Sequence, residues 1–302
     1  VHIQDIFKVH PTTFSFEFFP PKTEDASNKL FKTISQLEPL KPSFVDVTYG
    51  AGGGTRDLTN ELVLRIHRET KLDPVPHLTC VCHTEKEIND VLGQWAAAKV
   101  SNILALSGDV PADKPNWDRK KDAFRYAADL LRHIRKFKGH PDSRGFGIGV
   151  AGFPEGHPAT PNRLLEMEHL KAKVGEGADY IVTQLFFDNH DFYDFRERCD
   201  LAGIKVPILA GLMPVTSEKG MRRMADLAAG CRFPAPLLRS IQRCSGDEES
   251  VRRVGVHWAT EQCRDLLDHQ VRGLHFYTLN QSDATRQIYL NLGIAKSADL
   301  NR

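Results

Sequence analysis

The sequence has 302 residues, with 40 Lys and Arg against 39 Asp and Glu, a formal charge of +1, 41% apolar residues and 26% charged ones, the proportions of an ordinary soluble globular protein. So even a balance provides no basic field to gather nucleic acid or an anionic membrane surface, and no run approaches the roughly 18 uninterrupted apolar residues of a membrane span. Six scattered Cys do not resemble a disulfide framework, and the start Val1-His2-Ile3-Gln4-Asp5 lacks a basic-then-apolar leader, so a cytoplasmic protein is expected.

Eight short segments are rich in β-branched and aromatic residues: 13–19, 44–49, 75–80, 102–107, 145–151, 180–185, 206–210 and 274–279. They are too continuously apolar for one-faced strands and suit parallel strands buried on both faces. Between them, residues 58–66, 85–98, 123–137, 162–175, 192–202 and 251–269 carry apolar positions at helical spacing. Parallel strands need crossovers and helices supply them, so the alternation predicts an α/β fold, a (β/α)8 TIM barrel. No Ser/Gly linker divides the chain. One catalytic domain over 1–302 is expected, with extra helices over 217–269 before the eighth strand.

In such a barrel the chemistry lies at the carboxyl ends of the strands. These ends offer Glu17, Thr48, Tyr49, His77, Ser107, Gly108, Asp109, Phe153, Gln184, Tyr277 and Gln281. Glu17 lies within Phe14-Ser15-Phe16-Glu17-Phe18-Phe19-Pro20-Pro21, where poor hydration disfavours its charged form and suits it to donate a proton. Alternation places it on Ser15's face, toward the barrel interior. Asp109 follows Gly108, which lets the backbone approach a flat ligand, and precedes Pro111. Read blandly, the first acid is an outward strand-end Glu and the second caps a turn.

Other motifs are weaker. The glycine-dense segment 48–56 lacks the Walker lysine and the dinucleotide spacing. Residues 147–152 match G-x-G-x-x-G, but the glycines lie inside a strand and Pro154 and Pro158 obstruct a following helix; a crowded strand against which a planar ligand lies is expected instead. Glu166, His169 and Lys173 share one helix face. Cys80, Cys82 and His83 have no second ligand pair, so no metal is expected, and no Gly-x-Ser-x-Gly elbow suggests a serine hydrolase.

Taken together, Phe16-Glu17-Phe18-Phe19-Pro20-Pro21-Lys22, Asp46-Val47-Thr48-Tyr49-Gly50-Ala51-Gly52-Gly53, Pro76-His77-Leu78-Thr79-Cys80, Leu106-Ser107-Gly108-Asp109, Val150-Ala151-Gly152-Phe153-Pro154-Glu155-Gly156-His157-Pro158, Thr183-Gln184-Leu185-Phe186-Phe187-Asp188 and His275-Phe276-Tyr277-Thr278-Leu279-Asn280 resemble, in order, the methylenetetrahydrofolate reductase family. The resemblance runs from about Phe14 to Asn280. It implies a flavoprotein barrel that reduces 5,10-methylenetetrahydrofolate to 5-methyltetrahydrofolate, with FAD as cofactor and NADH or NADPH as donor in a ping-pong cycle feeding methionine synthesis. By resemblance Glu17 is the acid that opens the folate ring and Asp109 the acid beside the flavin. Thr48, Tyr49, Ala51, His77, Ser107, Gly108, Asp109, Tyr126, Ala127, Phe153, His157, Glu166, His169 and Lys173 then bind the cofactor, and Thr48, Gln184, Tyr277 and Gln281 the substrate.

Ser107 and Gln281 stand where the family usually carries arginine, so Lys173, Arg163 or Arg222 is expected to supply the charge at Ser107. A homo-oligomer without nucleic-acid or membrane partners is expected. Because the sequence stops soon after the last barrel helix, no regulatory domain is expected either. The alternatives are a flavin-independent folate reductase on this fold and a non-catalytic folate-binding relative.

Overall fold

The computed structural model of the chain describes residues 1–49, 56–110, 114–228 and 230–301; Ala51, with the rest of its glycine loop, and Pro111 lie outside the described residues. Eight parallel strands close a barrel in sequence order: β1 (Thr13–Phe18), β2 (Phe44–Val47), β3 (Pro74–Thr79), β4 (Asn102–Leu106), β5 (Gly147–Gly152), β6 (Tyr180–Thr183), β7 (Ile208–Leu212) and β8 (Gly273–Tyr277). The helices are α1 (Ile3–Val9), α2 (Glu24–Leu37), α3 (Arg56–Glu69), α4 (Glu85–Ala97), α5 (Ala127–Lys136), α6 (Arg163–Gly175), α7 (Asn189–Leu201), α8 (Glu218–Leu227), α9 (Ala235–Gln242), α10 (Glu248–Asp268) and α11 (Asp283–Asn291). The barrel is thus the expected one. Each of the eight segments read as a strand overlaps one, with ends displaced by up to two residues, and α8, α9 and α10 fill the stretch before β8.

Strand alternation sorts each side chain into one of two places. From β1, Phe14, Phe16 and Phe18 point outward into the layer under the helices with Leu30, Ile34 and Ile288. Phe14 stacks on Phe276 at 5.6 Å and meets Tyr289 of α11 at 4.6 Å. Burial of a ring of this size contributes roughly 1.5–3 kcal/mol. Ser15 and Glu17 have the opposite parity and face the interior, Glu17 lying between Asp46 of β2 and Tyr277 of β8 in the sheet register.

The amino-terminal end of the barrel is closed by α1, an element the strand pattern gave no reason to expect. Its Ile3 and Ile6 join Phe44, Val75, Leu104, Tyr180, Val182 and Leu209 in one cluster. The Asn102 side chain accepts from Ile3 N at 2.7 Å and donates to Val1 O at 2.8 Å, which pins the helix there.

This packing corrects the expectation for 147–152. A methyl group on Gly147 would meet Ile3 and Asn102, and one on Gly149 would meet Leu104 and the Tyr180 ring. The glycines make room for the plug and for Tyr180, not for a flat ligand. A second departure is the start of α5, at Ala127 rather than 123, because residues 114–126 are occupied in a loop over the β4 exit. Between β7 and β8, Met213, Val215, Met224, Leu237, Ile241 and Val251 form a separate apolar cluster. Gly255 of α10 packs directly on the Val215 carbonyl group, leaving no space for a side chain.

Candidate active site at the mouth of the barrel

Four ionisable side chains converge inside the barrel from β1, β2, β3 and β8. Glu17 Oε2 lies 3.6 Å from His77 Nε2 and 3.6 Å from His275 Nε2. Asp46, whose side chain is 0% exposed, places Oδ1 3.6 Å from the same His77 nitrogen and Oδ2 3.6 Å from His275 Nδ1. Ser15 Oγ hydrogen-bonds His275 Nδ1 at 2.8 Å. Both Asp46 oxygens, His77 Nε2 and His275 Nε2 are buried without a hydrogen-bond partner, at distances that favour charge pairing over hydrogen bonding. Glu17, with 18% of its side chain exposed, is the member that reaches the mouth.

The surroundings of Glu17 differ from those inferred from its sequence neighbours. The three Phe rings lie behind it on the other face of β1, and its own face meets two imidazoles. Burial opposes charge on His77, but the Asp46 contact and the Glu17 and Asp46 charges outweigh it and raise its pKa above the usual histidine value. Tyr277, edge-on to His275 at 5.0 Å, donates its hydroxyl to Thr183 O at 2.7 Å. Desolvation, with the Glu17 and Asp46 charges, raises its pKa well above normal and keeps the phenol protonated.

The opposite side of the mouth is built from β5 and α6. Lys173 donates from Nζ to Ala151 O at 2.6 Å, and burial, opposed by the Glu166 charge, lowers its pKa to about 8. Glu166 also pairs with Arg163 at 3.4 Å. His157 packs edge-on against Phe153 at 4.5 Å; burial lowers its pKa, with Lys173 and His169 adding and Glu166 and Asp109 opposing. The half-exposed Tyr126 ring lies nearly parallel to His169 at 6.5 Å, just before Ala127 begins α5. Gln184 turns its Oε1 to Leu185 N at 2.9 Å and lines a cleft with Phe153, Gly156 and Cys231. Gln281 borders a second cleft with Met213, Tyr277 and Leu279. The exposed Tyr126 and His169 rings, with His157 and the Lys173 cation nearby, fit a large aromatic and anionic ligand such as FAD.

Two residues named from the strand ends stand differently. The Tyr49 hydroxyl is held by His83 Nε2 at 2.8 Å and Arg56 Nε at 3.1 Å, and burial, against the Arg56 charge, raises its pKa to about 12; the side chain braces the rim rather than presenting its phenol. Ser107 receives Arg119, whose Nη2 donates to Ser107 Oγ at 3.2 Å and Ser107 O at 3.0 Å. Lys173 and Arg163 are engaged on Ala151 and Glu166, so the cation that reaches Ser107 is one the sequence reading did not consider. Asp109, the next residue but one, is exposed. Thr48 O at the β2 exit accepts from Thr59 Oγ1 at 3.0 Å.

Sequence reasoning also missed Asp46 and His275 as members of the site. The signal was there: a single acid in Phe44-Val45-Asp46-Val47 and a single His in Leu274-His275-Phe276, both with inward parity. Among the described residues, no group of three or more His, Cys, Asp or Glu is arranged to hold a metal ion.

The family model for methylenetetrahydrofolate reductase matches residues 2–293. A protein of Arabidopsis thaliana, methylenetetrahydrofolate reductase (NADH) 1, is 38% identical over 309 aligned positions, covering 99% of this chain and 51% of that one. The 5,10-methylenetetrahydrofolate reductase of Escherichia coli K12 is 36% identical over 282 positions, covering 93% of this chain and 90% of its own. The chain therefore spans about half the length of the plant relative and most of the bacterial one. Among solved structures, a Clostridium thermocellum protein described as binding two copies of 5-methyl-5,6,7,8-tetrahydrofolic acid superposes with a TM-score of 0.65 over 100% of both chains at 14% identity, a likeness of fold. The ordered strand-end residues and these matches agree: the chain belongs to the methylenetetrahydrofolate reductase family.

Proposed function

We propose that this chain reduces 5,10-methylenetetrahydrofolate to 5-methyltetrahydrofolate, using FAD and a reduced nicotinamide, with NADH as the expected donor. The observation that carries this reading is Glu17 at the mouth, backed by two imidazoles and a second, fully enclosed carboxylate. Tyr126, His157, His169 and Lys173, with His77 and the backbone at Gly108, are the groups to hold the cofactor. FAD held there would supply a hydride carrier between the nicotinamide and the folate, the chemistry of a ping-pong cycle.

Glu17 carries the acid step. Its carboxyl O–H bond breaks and the proton passes to a nitrogen of the folate's five-membered ring, so the ring's C–N bond opens to a cationic iminium. Asp109, exposed on the adjoining rim, steadies that cation. His77 lies where it can return a proton to Glu17, and the Asp46 contact favours its charged form.

The test is anaerobic and in two halves. With FAD supplied, wild-type protein should turn yellow, bleach with NADH and recover its colour when methylenetetrahydrofolate follows. Glu17→Gln should bleach normally and recover at least about 100-fold more slowly, the range of a lost general acid. Equal loss in both halves would remove Glu17 from the acid role. Folate reduction by NADH in the absence of flavin would overturn the flavin assignment.

A further inference from the structure

The turn after β4 carries Asp109, and the structure shows what sets its shape. Gly108 has φ +76°, and a methyl group there would lie 2.7 Å from Val81 Cγ1 and 2.8 Å from Thr79 Cβ, so only glycine fits. Its carbonyl and that of Ser107 both accept from one guanidinium. Arg119 Nη1 donates to Gly108 O at 3.0 Å, and Nη2 to Ser107 O at 3.0 Å and to Ser107 Oγ at 3.2 Å.

The guanidinium is itself held from behind. Its Nε donates to Asp122 Oδ2 at 3.1 Å, and the Asp122 side chain is 0% exposed. Asp122 Oδ1 also accepts from Cys82 N at 2.8 Å and Trp117 Nε1 at 2.8 Å, so a buried acid has donors on both oxygens and its charge matched. The planar fork thereby ties together the β3 exit, the β4 exit and the loop over them, as an ammonium could not. Four of its five N–H groups are used in these contacts. The side chain remains 33% exposed at the rim.

We propose that Arg119 is a positioning residue for Asp109. By fixing the two carbonyls that precede it, Arg119 sets where the Asp109 carboxylate stands over the mouth. The kinetic part of this inference rests on the folate-reductase reading; the structural part does not. Removal of the fork frees the turn, and misplacement of an acting group by about 1 Å can cost on the order of 100-fold in rate.

The experiment has two arms. In flavin-free protein, hydrogen exchange at the Ser107, Gly108, Asp109 and Val110 amides should quicken at least about ten-fold in Arg119→Ala while the β1 and β8 amides keep wild-type protection, which also shows that the variant folds. Unchanged exchange at the turn would overturn the proposal. In flavin-loaded protein, Arg119→Ala should slow the folate half-reaction about ten-fold or more, and adding it to Asp109→Asn should slow that reaction no further. Fully additive losses would mean that Arg119 does not act through Asp109 and would also overturn it. Ser107→Arg on the Arg119→Ala background grows a guanidinium from the position whose hydroxyl now receives one, and it should restore part of the lost rate. Wild-type protein that fails to take up flavin would count against the proposed function alone, since the exchange arm still reads the turn.

Discussion

Gly149→Ala tests the account of the barrel interior most directly. The added methyl would lie 2.7 Å from Leu104 Cδ1 and 2.7 Å from Tyr180 Oη, and closer still to the ring carbon bearing that hydroxyl. Normal carbon contacts are about 3.5–4.0 Å, so each neighbour is too close by roughly 1 Å. Neither can retreat easily: Tyr180 is 0% and Leu104 4% exposed, and α1 closes the space below them. Overpacking of this kind typically costs about 1–3 kcal/mol, offset by roughly 0.5–1 kcal/mol from replacing glycine in a strand. A net loss of about 1 kcal/mol is expected, or a fall in Tm of roughly 2 °C for a chain of 302 residues. Tyr180→Leu removes the ring carbon and hydroxyl, so the double variant should be more stable than the two single losses imply, by about 1–2 kcal/mol. Chemical denaturation of the four proteins gives the coupling. Additive losses, or a Gly149→Ala protein as stable as wild type that binds flavin poorly, would refute the packing account and restore the reading in which this strand faces a ligand.

Three further outcomes are expected. Asp46→Asn removes one of the two charges that hold the His77 pKa up, so the His77 ring should titrate at lower pH by NMR and the folate half-reaction should slow while flavin bleaching by NADH does not; an unmoved titration would dissociate Asp46 from the cluster. Lys173 loses its proton as pH rises through about 8, so flavin affinity measured by fluorescence quenching should fall above that pH, and Lys173→Met should flatten the profile. Glu87, whose Arg56 hydrogen bond leads in holding its pKa down to about 2, contributes stability that is present above the usual carboxylate range and lost as pH falls through 2. The stability gap between wild type and Glu87→Gln should therefore narrow steadily from pH 5 downward, and a gap independent of pH would exclude the ion pair as its source.

The parts of the molecule legible in the sequence are those governed by local alternation. Phe14, Phe16 and Phe18 against Ser15 and Glu17 announce both the strand and which residues enter the barrel, and the long apolar runs announce strands covered on two sides. Parity alone also contained Asp46 and His275, but their meeting depends on closure of β8 against β1 and on the register with β2, which no single segment encodes. The swap of ring neighbours around Glu17 has the same origin: sequence neighbours two apart share a face, and those one apart do not. Arg119 was invisible for another reason. It sits in a short turn of Arg119–Lys121 with ordinary surface composition, and only the folded loop brings it over Ser107 twelve positions earlier. α1 escaped notice because a seven-residue helix carries too few turns for its apolar stripe to stand out.

The helix that stoppers the barrel gives the interior a direction. With Ile3, Ile6 and Tyr180 filling the far end, Asp46 and His275 are enclosed, both 0% exposed, and Glu17 is the member of their cluster with the most surface toward solvent. The shortest exchange of protons between those inner groups and solvent runs through that carboxylate and His77 beside it. A ligand seated across the mouth would then isolate those groups from bulk water, and the protons inside at that moment are the ones on hand until it departs.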